Sequence, residues 1–152
     1  MKIGVDFDNT IVLDEWPEVG AILPGAIETL RELQEAGHDL ILYTQRTDLY
    51  RIYCPELEEY KKRHGGILGA VDLVSPAVRL LEDHGIKLYA VNKNPEWELE
   101  KQDYGRKVYL DLLIDDHNAG MKYKILTNSM GEKCKTVDWG WMRKWLKEEG
   151  IL

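Results

Sequence analysis

Cysteine is scarce in this 152-residue chain: Cys54 and Cys134 lie far apart and lack metal-ligand spacing. Neither a disulfide-stapled scaffold nor a cysteine-bound metal is expected, and the pair reads as reduced thiols of a cytoplasmic protein. Long apolar runs are missing too. Nothing approaches the ~20 apolar residues that span a bilayer, so no membrane partner is expected. Asp6 and Asp8 interrupt the first apolar stretch, which argues against a secretory signal. Positive charge is in deficit. Twenty Lys plus Arg against 27 Asp plus Glu leave a net charge of −7, which offers no general attraction to nucleic acid. The sequence also lacks internal repeats, low-complexity tracts and long linkers.

The 44% of hydrophobic residues suffices for a core, and the length suits a single domain over 1–152. Apolar residues at 3, 5 and 7 alternate and then stop at Asn9-Thr10, as in a strand entering a loop. Pro24 and Gly37 bracket a helix with Ile27, Leu30 and Leu33 on one face. Leu40 to Tyr43 reads as a buried strand ending at Thr44. Pro55 to His64 reads as a helix burying Leu57 and Tyr60, closed by Gly65-Gly66. A further helix begins at Ser75-Pro76 and ends at Gly85. Leu88 to Val91 and Leu110 to Ile114 read as strands, with a polar helix over Pro95 to Tyr104 between them. A hairpin is expected over Lys122 to Val137, turning at Asn128 to Gly131. Asp138 is placed to cap a final helix with the stripe Trp141, Met142, Trp145 and Leu146.

Strands alternating with helices predict an α/β fold, a three-layer Rossmann-like parallel sheet with helices on both faces. Ligands of such sheets gather beyond the carboxyl ends of the strands. Three expected strands end in polar residues: Asp6 with Asp8, Thr44, and Asp115 with Asp116. Asp6 and Asp8 are two apart, so an extended strand points both to one face. Carboxylates that close repel, and a cation or a shared proton relieves the repulsion. Asp and Asn are also common in plain turns. Here, however, both acidic segments follow apolar strands of one pattern. Four carboxylates in one cleft favour a hard divalent cation, Mg²⁺.

Asp6-Phe7-Asp8-Asn9-Thr10 resembles the first motif of the haloacid dehalogenase superfamily, Asp-x-Asp-x-Thr after the first strand. Thr44 is similar to its second motif, and Leu112-Leu113-Ile114-Asp115-Asp116 to its fourth. Lys107, eight residues before Asp115, stands for the third-motif lysine, with Lys93 as the alternative. Asn9 stands where Gly often follows, and Asn tolerates a left-handed backbone. The resemblance spans residues 1 to about 120 and is closest to small, nearly capless phosphatase-like members.

It implies a phosphatase in which Asp6 attacks phosphorus and Asp8 acts as acid and then base. Thr44 would bond a phosphoryl oxygen and Lys107 would offset charge. Mg²⁺ would be held by the Asp6 carboxylate, the Asp8 carbonyl and Asp115, with Asp116 in support. The partner would be a phosphorylated small molecule such as a nucleotide or sugar phosphate. Only 47–74 is long enough for a lid, so the site is expected to be open, over a bulky substrate or closed by a second subunit of a homo-oligomer. Trp16, Tyr50 and Tyr53 are candidates to line the entrance, although core packing explains them as well. Arg46 is a candidate phosphate contact. His64, His84 and His117 lack ligand spacing, and no zinc site is expected. A receiver domain fits the order of the acids less well. Phospho-ligand binding without turnover and phosphotransfer stay open.

Overall fold

The computed structural model describes residues 1–48, 55–65, 71–96, 98 and 107–152. Its centre is a four-stranded parallel sheet of β1 (Lys2–Val5), β4 (Asp39–Leu42), β5 (Ala90–Val91) and β6 (Leu112–Ile114), in the order β5-β4-β1-β6. Two antiparallel hairpins stand apart from it, β2 (Val12–Glu15) with β3 (Glu18–Ile22) and β7 (Tyr123–Thr127) with β8 (Lys133–Val137). The described helices are α1 (Ala26–Glu35), α2 (Pro55–His64), α3 (Val74–Asp83) and α4 (Trp139–Glu148). The fold is the expected α/β, Rossmann-like one. The expected helix over Pro95 to Tyr104 falls largely outside the described residues, as do Tyr50, Tyr53 and parts of 47–74.

Alternation along the strands divides the core. Ile3, Val5, Leu40, Leu42 and Ile114 pack with α1, α3 and α4, whereas Ile41 packs with Ala90, Val108 and Leu110. Gly4 lies on β1, where a Cβ would stand 2.5 Å from a Leu110 methyl. The missing side chain lets that segment lie against the sheet. Helix α1 buries Ala26, Ile27, Thr29, Leu30 and Leu33, one face of a 3.6-residue repeat. It ends where His38 N–H reaches the Leu33 carbonyl (3.1 Å) and Gly37 turns at φ 84°.

Asp138 caps α4 as expected, its side chain accepting from Trp141 N–H at 3.2 Å. The buried stripe of α4 differs from the expected one. Trp139, Met142 and Leu146 are buried, while Trp141 and Trp145 are half-buried and stack with ring centroids 6.4 Å apart. Trp139 also donates its indole N–H to the Thr10 carbonyl at 2.6 Å, tying α4 to the loop after β1. The β2–β3 hairpin was not expected from the sequence. Its positions are mostly half-buried, without a clean alternation, and its turn at Trp16-Pro17 carries no Asn-Gly or Asp-Gly signal.

Truncating Trp139 therefore removes both volume and a buried donor. Trp139→Ala is expected to lower unfolding free energy by about 3–5 kcal/mol in urea titrations, and Trp141→Ala by clearly less. Equal losses at the two positions would contradict this division of the stripe.

Candidate functional site

The chain runs β1, β4, β5 outward and then returns to place β6 on the free side of β1. The switch in direction lies between β1 and β6, where open α/β sheets form their ligand crevice. Val5 is in register with Leu42 and Ile114, so β4, β1 and β6 end side by side. Asp6 N–H still bonds the Ile114 carbonyl at 2.9 Å and Tyr43 N–H the Val5 carbonyl at 2.9 Å. Asp6, Thr44 and Asp115 thereby emerge at one edge.

A turn follows. The Phe7 carbonyl accepts from Ile11 and Val12, and Asn9 takes φ 58°, a left-handed conformation that Asn accommodates. Thr10, fully buried, joins the two acidic segments. Its hydroxyl donates to Asp6 Oδ2 at 3.3 Å and accepts from Asp116 N–H at 3.0 Å.

Asp6, Asp8, Asp115 and Asp116 line one open cavity of about 810 Å³. Asn9, Asp14, Trp16, Tyr43, Thr44, Gln45, Arg46, Asn92, Val108 and His117 complete its described wall. The early and late acid pairs thus meet in one place. Thr44 is held by Asn92, which accepts from its N–H at 2.8 Å and donates to its carbonyl at 2.7 Å. The Thr44 Oγ1 accepts from Arg46 N–H at 3.1 Å, which leaves the hydroxyl hydrogen to donate to a ligand. Trp16 lines the cavity and also packs beside Leu57, Tyr60, Val71 and Leu73. Lys107 and Lys93 are exposed, and their neighbours Val108 and Asn92 are on the wall.

Asp14 and Asn92 were not singled out from the sequence. Asn92 directly follows an expected strand, a signal of the kind that marked Thr44. Arg46, a candidate phosphate contact, lines the cavity and is engaged by an acid there. Its guanidinium grips the Asp8 carboxylate through Nε (2.8 Å) and NH2 (2.7 Å).

The electrostatics follow from this crowding. Burial pushes the Asp6 carboxyl up to about 7, against a backbone bond from Phe7, and the charges of Asp115, Asp116 and Asp8 add to the rise. Burial also raises Asp116, against the pull of His117. His117 is raised in turn, chiefly by the charge of Asp116, whose Oδ1 lies 3.0 Å from its Nδ1. Five carboxylates face Arg46 and His117 among the described lining residues, and Arg46 is matched to Asp8. Ligand atoms of Asp115, Asp116 and His117 all lie within 4.8 Å of one another. Oxygen donors that repel one another, beside a half-buried acid, fit a hard divalent cation.

The sequence matches no family model and no curated protein. The solved structure of a conserved protein from Bacteroides thetaiotaomicron is similar, with a TM-score of 0.62 and 32% identity. The match covers 98% of this chain and 91% of that one.

A carboxyl raised by folding binds its proton more tightly in the folded state. Its stabilising contribution is complete below the unfolded value near 3.8 and is lost as pH rises through about 7. Asp116 and His117, also raised, act with the same sign. Without divalent cations, thermal stability is expected to fall between about pH 4 and 7, and Asp6→Asn to flatten that fall. A cation replaces the lost proton, so added Mg²⁺ should raise the melting temperature more at pH 8 than at pH 5. A Mg²⁺ shift that is equal at both values would contradict the assignment.

Proposed function

We propose that this chain, which belongs to the same family as the conserved Bacteroides thetaiotaomicron protein, is a Mg²⁺-dependent phosphate-monoester hydrolase of the haloacid dehalogenase type. One observation carries the reading: Asp6, Asp8, Thr44, Asp115 and Asp116 border a single cavity at the carboxyl ends of three parallel strands. Uncatalysed monoester hydrolysis is so slow that enzymes reach accelerations of ~10²¹. General acid catalysis supplies only about 10²–10⁴ of that. A nucleophile and strong charge stabilisation are therefore required alongside an acid.

Asp6 is the proposed nucleophile. Its carboxylate forms a bond to phosphorus in line with the leaving oxygen, and the bond from phosphorus to that oxygen breaks. Asp8 gives its proton to the departing alkoxide. Water then attacks the aspartyl-phosphate as Asp8 takes its proton, releasing inorganic phosphate and restoring Asp6. Thr44 donates its free hydroxyl hydrogen to a phosphoryl oxygen, and Lys107 is the lysine proposed to offset its charge. The carboxylates of Asp6 and Asp115 and the carbonyl of Asp8, with Asp116 in support, would hold Mg²⁺. The cation supplies positive charge that screens carboxylate from phosphate. An open cavity with Trp16 and Tyr43 on its wall suits a bulky leaving group, a nucleoside or a sugar.

The grip of Arg46 on both oxygens of Asp8 favours a second reading, phospho-ligand binding without turnover. A phosphate-release panel of nucleotides, sugar phosphates and p-nitrophenyl phosphate, with and without Mg²⁺, separates the two. The hydrolase reading predicts Mg²⁺-dependent release that Asp6→Asn reduces by at least about 10³-fold with the fold intact. It also predicts that acid-quenched protein carries phosphate on Asp6. Near-normal turnover in Asp6→Asn would remove Asp6 as nucleophile. Tight ligand binding with no release would establish the second reading.

A further inference from the structure

Arg46 is an unusual group for an otherwise acidic cavity. Its side chain is only 1% exposed, and its one ion-pair partner among the described residues is Asp8. Its donors go to two places at once. Nε and NH2 hold the Asp8 carboxylate at 2.8 and 2.7 Å. NH1 donates to the Pro17 carbonyl at 3.0 Å, and NH2 donates to the Glu18 carbonyl at 2.8 Å. The last two acceptors lie in the turn and at the first residue of β3. The guanidinium also lies over the Phe7 ring, 5.1 Å from its centroid. Buried donors left unmatched are strongly unfavourable, so the planar fork fixes both partners relative to each other.

The hairpin is more than a distant support. It contributes Asp14 and Trp16 to the cavity wall. Other ties run outward, where Glu15 accepts from Ser129, the Asp14 carbonyl accepts from Asn128, and Glu18 pairs with Arg63 and His64 of α2. Others run to the turn after β1, where Asp14 N–H donates to Asn9 Oδ1 at 3.2 Å and Val12 bridges Asp8. Arg46 ties the hairpin to the carboxylate of Asp8 itself. Displacing the turn would strip two acceptors from Arg46, and turning the Asp8 carboxylate away would strip two others.

We propose that Arg46 is a positioning residue that couples the orientation of the Asp8 carboxylate to the seating of the β2–β3 hairpin, so that the two change together. The consequence for turnover rests on the hydrolase reading. On that reading, turning Asp8 toward a leaving oxygen weakens its bonds with Arg46, and that loosens the hairpin that borders the substrate. The coupling itself does not depend on that reading.

The test is a double-mutant cycle on the full chain with Arg46→Lys, Asp8→Asn and their combination. Amide hydrogen exchange at residues 18–22, across the turn from Asp8, reports hairpin seating without any need for activity. Each single variant is expected to speed exchange there by about tenfold while β1 and β4 stay protected, and the pair no more than the faster single. Multiplicative effects, or an unchanged hairpin in Asp8→Asn, would overturn the coupling. Should Arg46→Lys fail to fold, the Asp8→Asn hairpin still decides the matter.

The same four proteins are then assayed with p-nitrophenyl phosphate and Mg²⁺. Arg46→Lys should lower kcat by ~10–100-fold with KM nearly unchanged, and add little in the Asp8→Asn background. A merely structural arginine would lower both backgrounds alike. Absence of phosphate release in the wild type, over the whole panel, counts against the hydrolase reading, while the exchange cycle judges the coupling separately.

Discussion

The parallel pairing of β1 with β4 on one side and β6 on the other is the constraint on which the site depends. Parallel strands in register release their chains at one edge, and here that edge receives Asp6, Thr44 and Asp115 within one residue of regular hydrogen bonding. The connection order places the reversal of direction between β1 and β6. The two acidic segments, more than 100 residues apart in sequence, are therefore adjacent. Thr10 makes that adjacency a bonded one, because a single buried hydroxyl serves a carboxylate of one segment and an amide of the other.

From that edge the chemistry follows as a matter of charge. Carboxylates held together and partly withdrawn from water keep protons or take a cation, which is why Asp6 is pushed up to about 7. The surroundings of the two early acids differ. Asp6 has a hydroxyl and like charges about it, whereas Asp8 is matched to a buried guanidinium. Two aspartates in one short motif thus meet different environments, one among other carboxylates and the other against a guanidinium.

Much of this is legible in the amino-acid sequence. The strands of the sheet and the four described helices are legible in the apolar pattern and its Pro, Gly and Asp boundaries, because buried faces leave a repeat in the sequence. Asp6, Asp8, Asp115 and Asp116 were legible because each pair directly follows a buried strand. Asn9 was legible because its backbone conformation restricts residue choice. The β2–β3 hairpin was not, since its half-buried strands carry no alternation. Nor was the grip of Arg46 on Asp8, a contact across 38 residues that no local spacing encodes. On α4 the expected Met142 and Leu146 are buried and Trp141 and Trp145 pack half-buried against the core, whereas buried Trp139, three residues before Met142, was not expected.

One cation held between the ends of β1 and β6 is the central physical claim. Substituting paramagnetic Mn²⁺ for Mg²⁺ and recording backbone NMR spectra tests that most directly. Resonances of residues 6–10 and 114–117 should broaden first and together, at substoichiometric metal, while those of the β7–β8 turn stay sharp. Broadening scattered over the acidic surface, or confined to only one of the two segments, would contradict the account.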